Sequence, residues 1–202
     1  MSTGTADARE KRDGYHHGDL RQALLDATRE LVEELGPEGF SVSEACRRAG
    51  VSTAAPYRHF KDRGELLRGV ALQGMARMEA ILRATLAGYK SGTIESIAAI
   101  GQDYLAFAEA EPQVFRMMFA ADAGEGDEVK EAGISCYGIV LNEVRALLGK
   151  PDIDEEVQRR TFPLWAFVHG VAFLQIDGKM DVSKVQDDVP GVIAEATRRL
   201  LA

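Results

Sequence analysis

Ser52, Thr53, Tyr57, Arg58, His59, Lys61 and Arg63 fall within one short segment of this chain. Hydroxyl, imidazole, ammonium and guanidinium groups at such density suit hydrogen bonding to phosphate oxygens and base edges. They do not form a reaction centre. The sequence holds no metal-spaced Glu-x-x-His pair, no nucleophile elbow and no phosphate-cradling glycine loop. His16 and His17 are adjacent on an entry segment, which is not the arrangement of a catalytic pair. No catalytic residue, no metal site and no cofactor is therefore expected. The chemistry is that of holding a duplex.

Such a segment must be carried on a turn between two short helices. Gly50 supplies a residue free to take positive φ. Ala45, Cys46 and Ala49 are small enough for the helices to cross, and Val51, Tyr57 and Phe60 are spaced as apolar anchors. Ser41-x-x-Glu44 reads as a capping box opening the helix that ends at Gly50. A short third helix is expected after Ser52, with Pro56 in its first turn, where few backbone bonds are lost. Ahead of them, Leu20, Leu24, Ala27, Leu31 and Leu35 recur at helical steps from an Asp19 cap to Gly36-Pro37.

Helical periodicity continues to the end. Asp62-Arg63-Gly64 breaks the pattern before a long helix over about 65–89, and further helices are expected over 93–111, 113–121, 127–148, 154–177 and 183–201. Pro163 should kink or delay its helix. Strand-like alternation is missing. The predicted fold is all-α, about nine helices in all: an N-terminal three-helix helix-turn-helix domain, then a C-terminal helical bundle.

With 46% hydrophobic and 28% charged residues, composition is that of a soluble globular chain. No run approaches a membrane span and the N-terminus has no signal-peptide core, so a cytoplasmic location is expected. Cys46 and Cys136 are far apart and read as reduced core residues. The net charge of −8 looks wrong for a DNA binder. Locally it reverses: Arg47, Arg48, Arg58, Lys61 and Arg63 face only Glu44 and Asp62 between residues 41 and 63. Screening makes the local stripe decisive.

The stretch Ala45-Cys46, Ala49 to Ser52, Tyr57-Arg58-His59-Phe60, Arg63 and Leu66-Leu67 resembles the DNA-binding domain of the TetR family of transcriptional regulators. Tyr15 to Leu20, Ala54 to Tyr57 and Trp165-x-x-x-His169-Gly170 resemble a subgroup named for a Trp-His-Gly motif. Ala45, Ser43 and Arg63 depart from the usual pattern at their positions. The resemblance implies a flexible arm over 1–18, a DNA-binding domain over 19–64, and an effector-binding and dimerisation domain over 65–202. It implies base reading by Thr53, Ala54, Ala55 and Arg58, with Ser43 a further position, and phosphate contacts from Arg47, Tyr57, His59, Lys61 and Arg63. The effector pocket would draw on Tyr104, Phe107, Phe115, Met118, Tyr137, Phe162, Trp165 and His169. The partners implied are a double-stranded, palindromic operator, a small-molecule effector, and a second copy bound through the last two helices. The function implied is repression relieved by that effector. The competing reading is an all-helical small-molecule-binding protein or enzyme whose helix-turn-helix no longer works.

Overall fold

The computed structural model describes residues 7–120, 127–180 and 188–201. Among them are eight α-helices and no strand. In chain order the helices are α1 (Asp7–Leu35), α2 (Val42–Ala49), α3 (Arg63–Leu86), α4 (Ile94–Ala110), α5 (Pro112–Met118), α6 (Asp127–Leu147), α7 (Glu155–Ile176) and α8 (Val189–Leu201). A 3-10 turn, Pro56–Arg58, lies between α2 and α3.

Local chemistry sets most of these boundaries. Ser41, Asp62 and Asp154 accept the amides of Glu44, Glu65 and Val157 as N-caps of α2, α3 and α7. Thr93 and Ser96 close a reciprocal capping box on α4. The box expected at Ser41 is only half made, because the Glu44 carboxylate turns to Arg47 at 2.9 Å. α2 ends at Gly50, whose φ of 68° is left-handed and favours glycine. Glu111 separates α4 from α5, and Pro112 opens α5 at its first turn.

Four expectations need correction. α1 begins at Asp7, so Asp19 lies inside the helix and does not cap it. The third helix of the motif is reduced to the Pro56–Arg58 turn. Pro56 has no amide to give to the Ser52 carbonyl, which bonds Ala55 instead at 3.0 Å. Tyr57 is not an anchor: it is 67% exposed, and Pro56 and Phe60 are buried in its place. α7 starts at Glu155 and runs on through Pro163, so this proline does not delay its helix.

α1 packs on α2 and α3, while α3 runs on against α4, α5 and α6. α7 and α8 close on α4 from the far side. Close approach needs glycine at two crossings of α3. A Cβ at Gly69 would stand 2.7 Å from Leu25, and one at Gly74 would stand 2.8 Å from both Val114 and Met118. One apolar core runs from Leu24, Leu25, Phe40 and Phe60 through Val70 and Met78 to Phe115 and Ile193. A smaller cluster of Ile97, Val144, Val157, Leu164 and Leu201 fills the other end. Glu143 is buried there, and its carboxylate accepts from Ser91 Oγ and the Gly92 amide (both 2.8 Å) and from Ser96 Oγ (2.7 Å).

Candidate nucleic-acid interface and ligand site

The segment after Gly50 is a chain of turns. Amides of Ala55, Arg58, His59 and Phe60 bond back to Ser52, Ala55 and Pro56 carbonyls. Buried Pro56 and Phe60 pin this segment to the head, with the Arg21 guanidinium 5.2 Å from the Phe60 ring centre. Outward go Ser52, Thr53, Ala54, Tyr57, Arg58 and Lys61, all exposed. Ala55 and His59 are half-buried. Ser43 is exposed on α2, with its hydroxyl 3.1 Å from that of Ser41. The surface therefore offers hydroxyls, a phenol, a guanidinium and an ammonium in one row.

The other cations of the motif are partly engaged. Arg47 pairs with Glu44, whose carboxyl is held below its usual range by that bond. Arg48 forks onto Glu34 of α1 at 2.6 and 2.8 Å, joining α2 to α1. Arg63 donates to the Pro37 carbonyl, lies 3.9 Å from Glu38, and stacks 4.9 Å over the Phe40 ring. It acts as a strut between the start of α3 and the turn after α1.

In the helical body, six of the eight residues expected in an effector pocket meet through ring contacts. His169 is their centre. Its ring lies 6.2 Å from Tyr104, 5.9 Å from Phe115 and 5.2 Å from Trp165, the last stacked at 27°. Trp165 in turn touches Tyr137 at 5.8 Å and Phe162 at 6.1 Å. Phe107 is buried but has no ring contact with this cluster among the described residues. Met118 is buried against α3 at Gly74. Phe119 and Phe173 belong to the cluster, 4.7 and 4.9 Å from His169, and sequence reasoning missed them. The signal was available: Trp165, His169 and Phe173 repeat every four residues, as do Phe115 and Phe119.

Tyr104 Oη and His169 Nδ1 are 2.8 Å apart. Burial pushes the phenol well above its ordinary range, with the Trp165 indole pulling weakly the other way. Burial also lowers the His169 pKa. A protonated phenol thus faces an imidazole biased toward its neutral form, and the tautomer of His169 sets which of the two donates. A separate groove of about 570 Å³ lies between α4, the end of α7 and the start of α8. Its walls include Leu105, Ala106, Glu109 and Gln175, and it contains none of the expected pocket residues.

A polar row on a turn carried by α1 and α2, joined by the long α3 to a helical body, defines a helix-turn-helix DNA-binding transcription regulator. Residues 24–70 match the model of bacterial regulatory proteins of the tetR family, and residues 97–199 match the tetracyclin repressor-like C-terminal domain. The chain belongs to the TetR family of transcriptional regulators. It is similar to a Rhodococcus sp. RHA1 protein of unknown function: 30% identity, TM-score 0.75, 93% of this chain and 96% of that one covered. It shares its fold with the transcriptional regulator FadR from Bacillus subtilis, solved in complex with stearoyl-CoA (13% identity, TM-score 0.66, 90% and 97% covered). It is also 25% identical over 177 residues to the nucleoid occlusion factor SlmA of Vibrio vulnificus, covering 83% of this chain and 85% of the relative. No described helix is long and apolar enough to cross a membrane.

Proposed function

We propose that the chain is a homodimeric, cytoplasmic, non-enzymatic repressor that leaves a palindromic operator when a small molecule enters its helical body. The observation that carries this reading is the exposed row Thr53, Ala54, Tyr57, Arg58 and Lys61 on a turn pinned by buried Pro56 and Phe60. Arg58 is suited to a bidentate guanine contact, and Thr53, Ala54 and Ala55 to thymine methyls. Tyr57, His59 and Lys61 suit phosphates, with Arg47 and Arg63 at the margins, and Ser43 is a further base-reading position.

Dimerisation is supported by a stripe on α7. Phe162, Ala166, Gly170 and Leu174 recur every four residues and are all exposed, Phe162 by 58% and Leu174 by 46%. A Cβ at Gly170 would meet nothing within 4 Å, so this glycine is not needed for a crossing inside the described chain. It suits backbone contact with a second copy instead. Ligand response is supported by the His169 cluster, an apolar site with one convergent polar pair, in a fold that in the Bacillus subtilis neighbour holds an acyl-CoA.

The test is a salt-titrated gel shift on DNA upstream of the chain's own gene. Arg58→Ala should lose sequence preference, whereas Lys61→Ala should weaken all sequences alike and reduce the salt slope by about one unit. A chain that binds no duplex at low ionic strength defeats the reading. A small molecule binding equally well with and without operator defeats the repressor-release part.

A further inference from the structure

α1 and the break between α4 and α5 grip each other through two carboxylates. No side chain at the start of α5 caps its first amides. Those of Gln113 and Val114 donate instead to the two oxygens of Glu33 on α1, at 3.1 and 2.8 Å. A carboxylate is favoured at that end of a helix. In the other direction, the Glu111 carboxylate, 15% exposed, accepts from Arg77 Nε of α3 at 3.1 Å and lies 3.9 Å from Arg29 of α1. Arg29 and Glu33 stand one turn apart on α1, so the helix offers a cation and an anion to a break that offers an anion and two amides.

This clamp has a mechanical meaning. α3 is the continuous strut between head and body, and a single helix is one attachment about which the head can tilt. The α1–α5 contact supplies a second point of attachment. We infer that Glu33 and Glu111 are positioning residues for DNA recognition: they fix the angle of the head, and with it the separation of the two reading turns in a dimer. The inference rests on the dimeric, palindrome-reading function proposed above. From Arg63 to Arg77, α3 rises roughly 20 Å. A swing of about 10° at the clamp therefore moves the reading turn by roughly 3–4 Å, close to one base-pair step of about 3.4 Å. Loosening the clamp alters the half-site spacing that is read, while no residue at the DNA changes.

The experiment uses the full chain as wild type, Glu33→Gln and Glu111→Gln. A duplex sequence is first selected by the wild type from a random pool, and its half-sites are then re-spaced one base pair at a time. The wild type should prefer one spacing over its neighbours by about tenfold or more, and the variants by about threefold or less, with single half-site affinity unchanged within about twofold. Hydrogen exchange should show faster exchange of the Gln113 and Val114 amides in Glu33→Gln. A purely structural role would weaken single and paired half-sites together and leave the spacing preference intact. That result, or an unchanged preference despite faster exchange, overturns the inference. Should Glu33→Gln fail to fold, Glu111→Gln decides alone, because its carboxamide still accepts from Arg77. A wild type that selects no palindromic duplex removes the dimeric reading, and this inference falls with it.

Discussion

Tyr104→Phe removes one oxygen from the centre of the helical body and almost nothing else. The ring keeps its contacts with Phe115 at 5.3 Å and Phe119 at 6.3 Å, so the apolar packing survives. What disappears is the 2.8 Å bond to His169 Nδ1. A neutral bond of this kind contributes about 0.5–1.5 kcal/mol net, and a polar group deprived of its partner costs about 1–3 kcal/mol where water is excluded. His169 is half-buried, so water recovers part of the second term. The expected loss is about 1–2 kcal/mol. Equilibrium urea unfolding followed by circular dichroism measures it directly. The single tryptophan, Trp165, stacks on His169, so its emission reports on the same cluster without a label. Pairing the variant with His169→Phe in a double-mutant cycle should return a coupling of about 1 kcal/mol. An unchanged unfolding midpoint, or strictly additive single variants, would refute the Tyr104–His169 hydrogen bond as a contributor to stability.

Three further outcomes follow from the same geometry. Glu143→Ala should cost about 3 kcal/mol in urea unfolding, since three donors, one of them on buried Ser96, lose a buried carboxylate acceptor, while Ser96 keeps the Thr93 carbonyl at 2.9 Å. His169 has its folded pKa lowered from 6.5, so the unfolded chain binds the proton more tightly. Its contribution is complete above about pH 6.5 and is lost as pH falls through the folded pKa; thermal melts should show that loss in the wild type and not in His169→Phe. Leu174→Glu should convert a dimer to monomers in sedimentation and lower affinity for a paired site by about a hundredfold, sparing the single half-site.

What was legible in the sequence was local. Ser41 caps the Glu44 amide three residues away, and Gly50 answers a backbone demand at its own position. Such signals survive in a linear reading because donor and acceptor stand together in it. The Pro56 turn was misread because propensity tolerates proline early in a helix, whereas here its missing amide shortens the whole segment. Tyr57 was misplaced for a related reason: a 3-10 turn rotates each residue by a different angle from an α-helix, which exchanged its direction with that of Pro56. Glu33 meets Gln113 across 80 positions and Glu143 meets Ser91 across 52. No spacing rule reaches so far. The aromatic cluster was found in part because bulky residues betray a core, but which rings face His169 depended on the crossing of α4, α5 and α7.

Both native thiols are sequestered. Cys46 has no exposed surface, and Cys136 is buried with its sulfur 3.6 Å from the Met75 carbonyl and its pKa pushed up to about 11 by burial. Since the thiolate is the species that reacts with maleimides, neither should label quickly in the folded protein. A cysteine introduced at exposed Tyr57 would then take up a spin label selectively, turning the distance between the two heads of the proposed dimer into a spectroscopic observable.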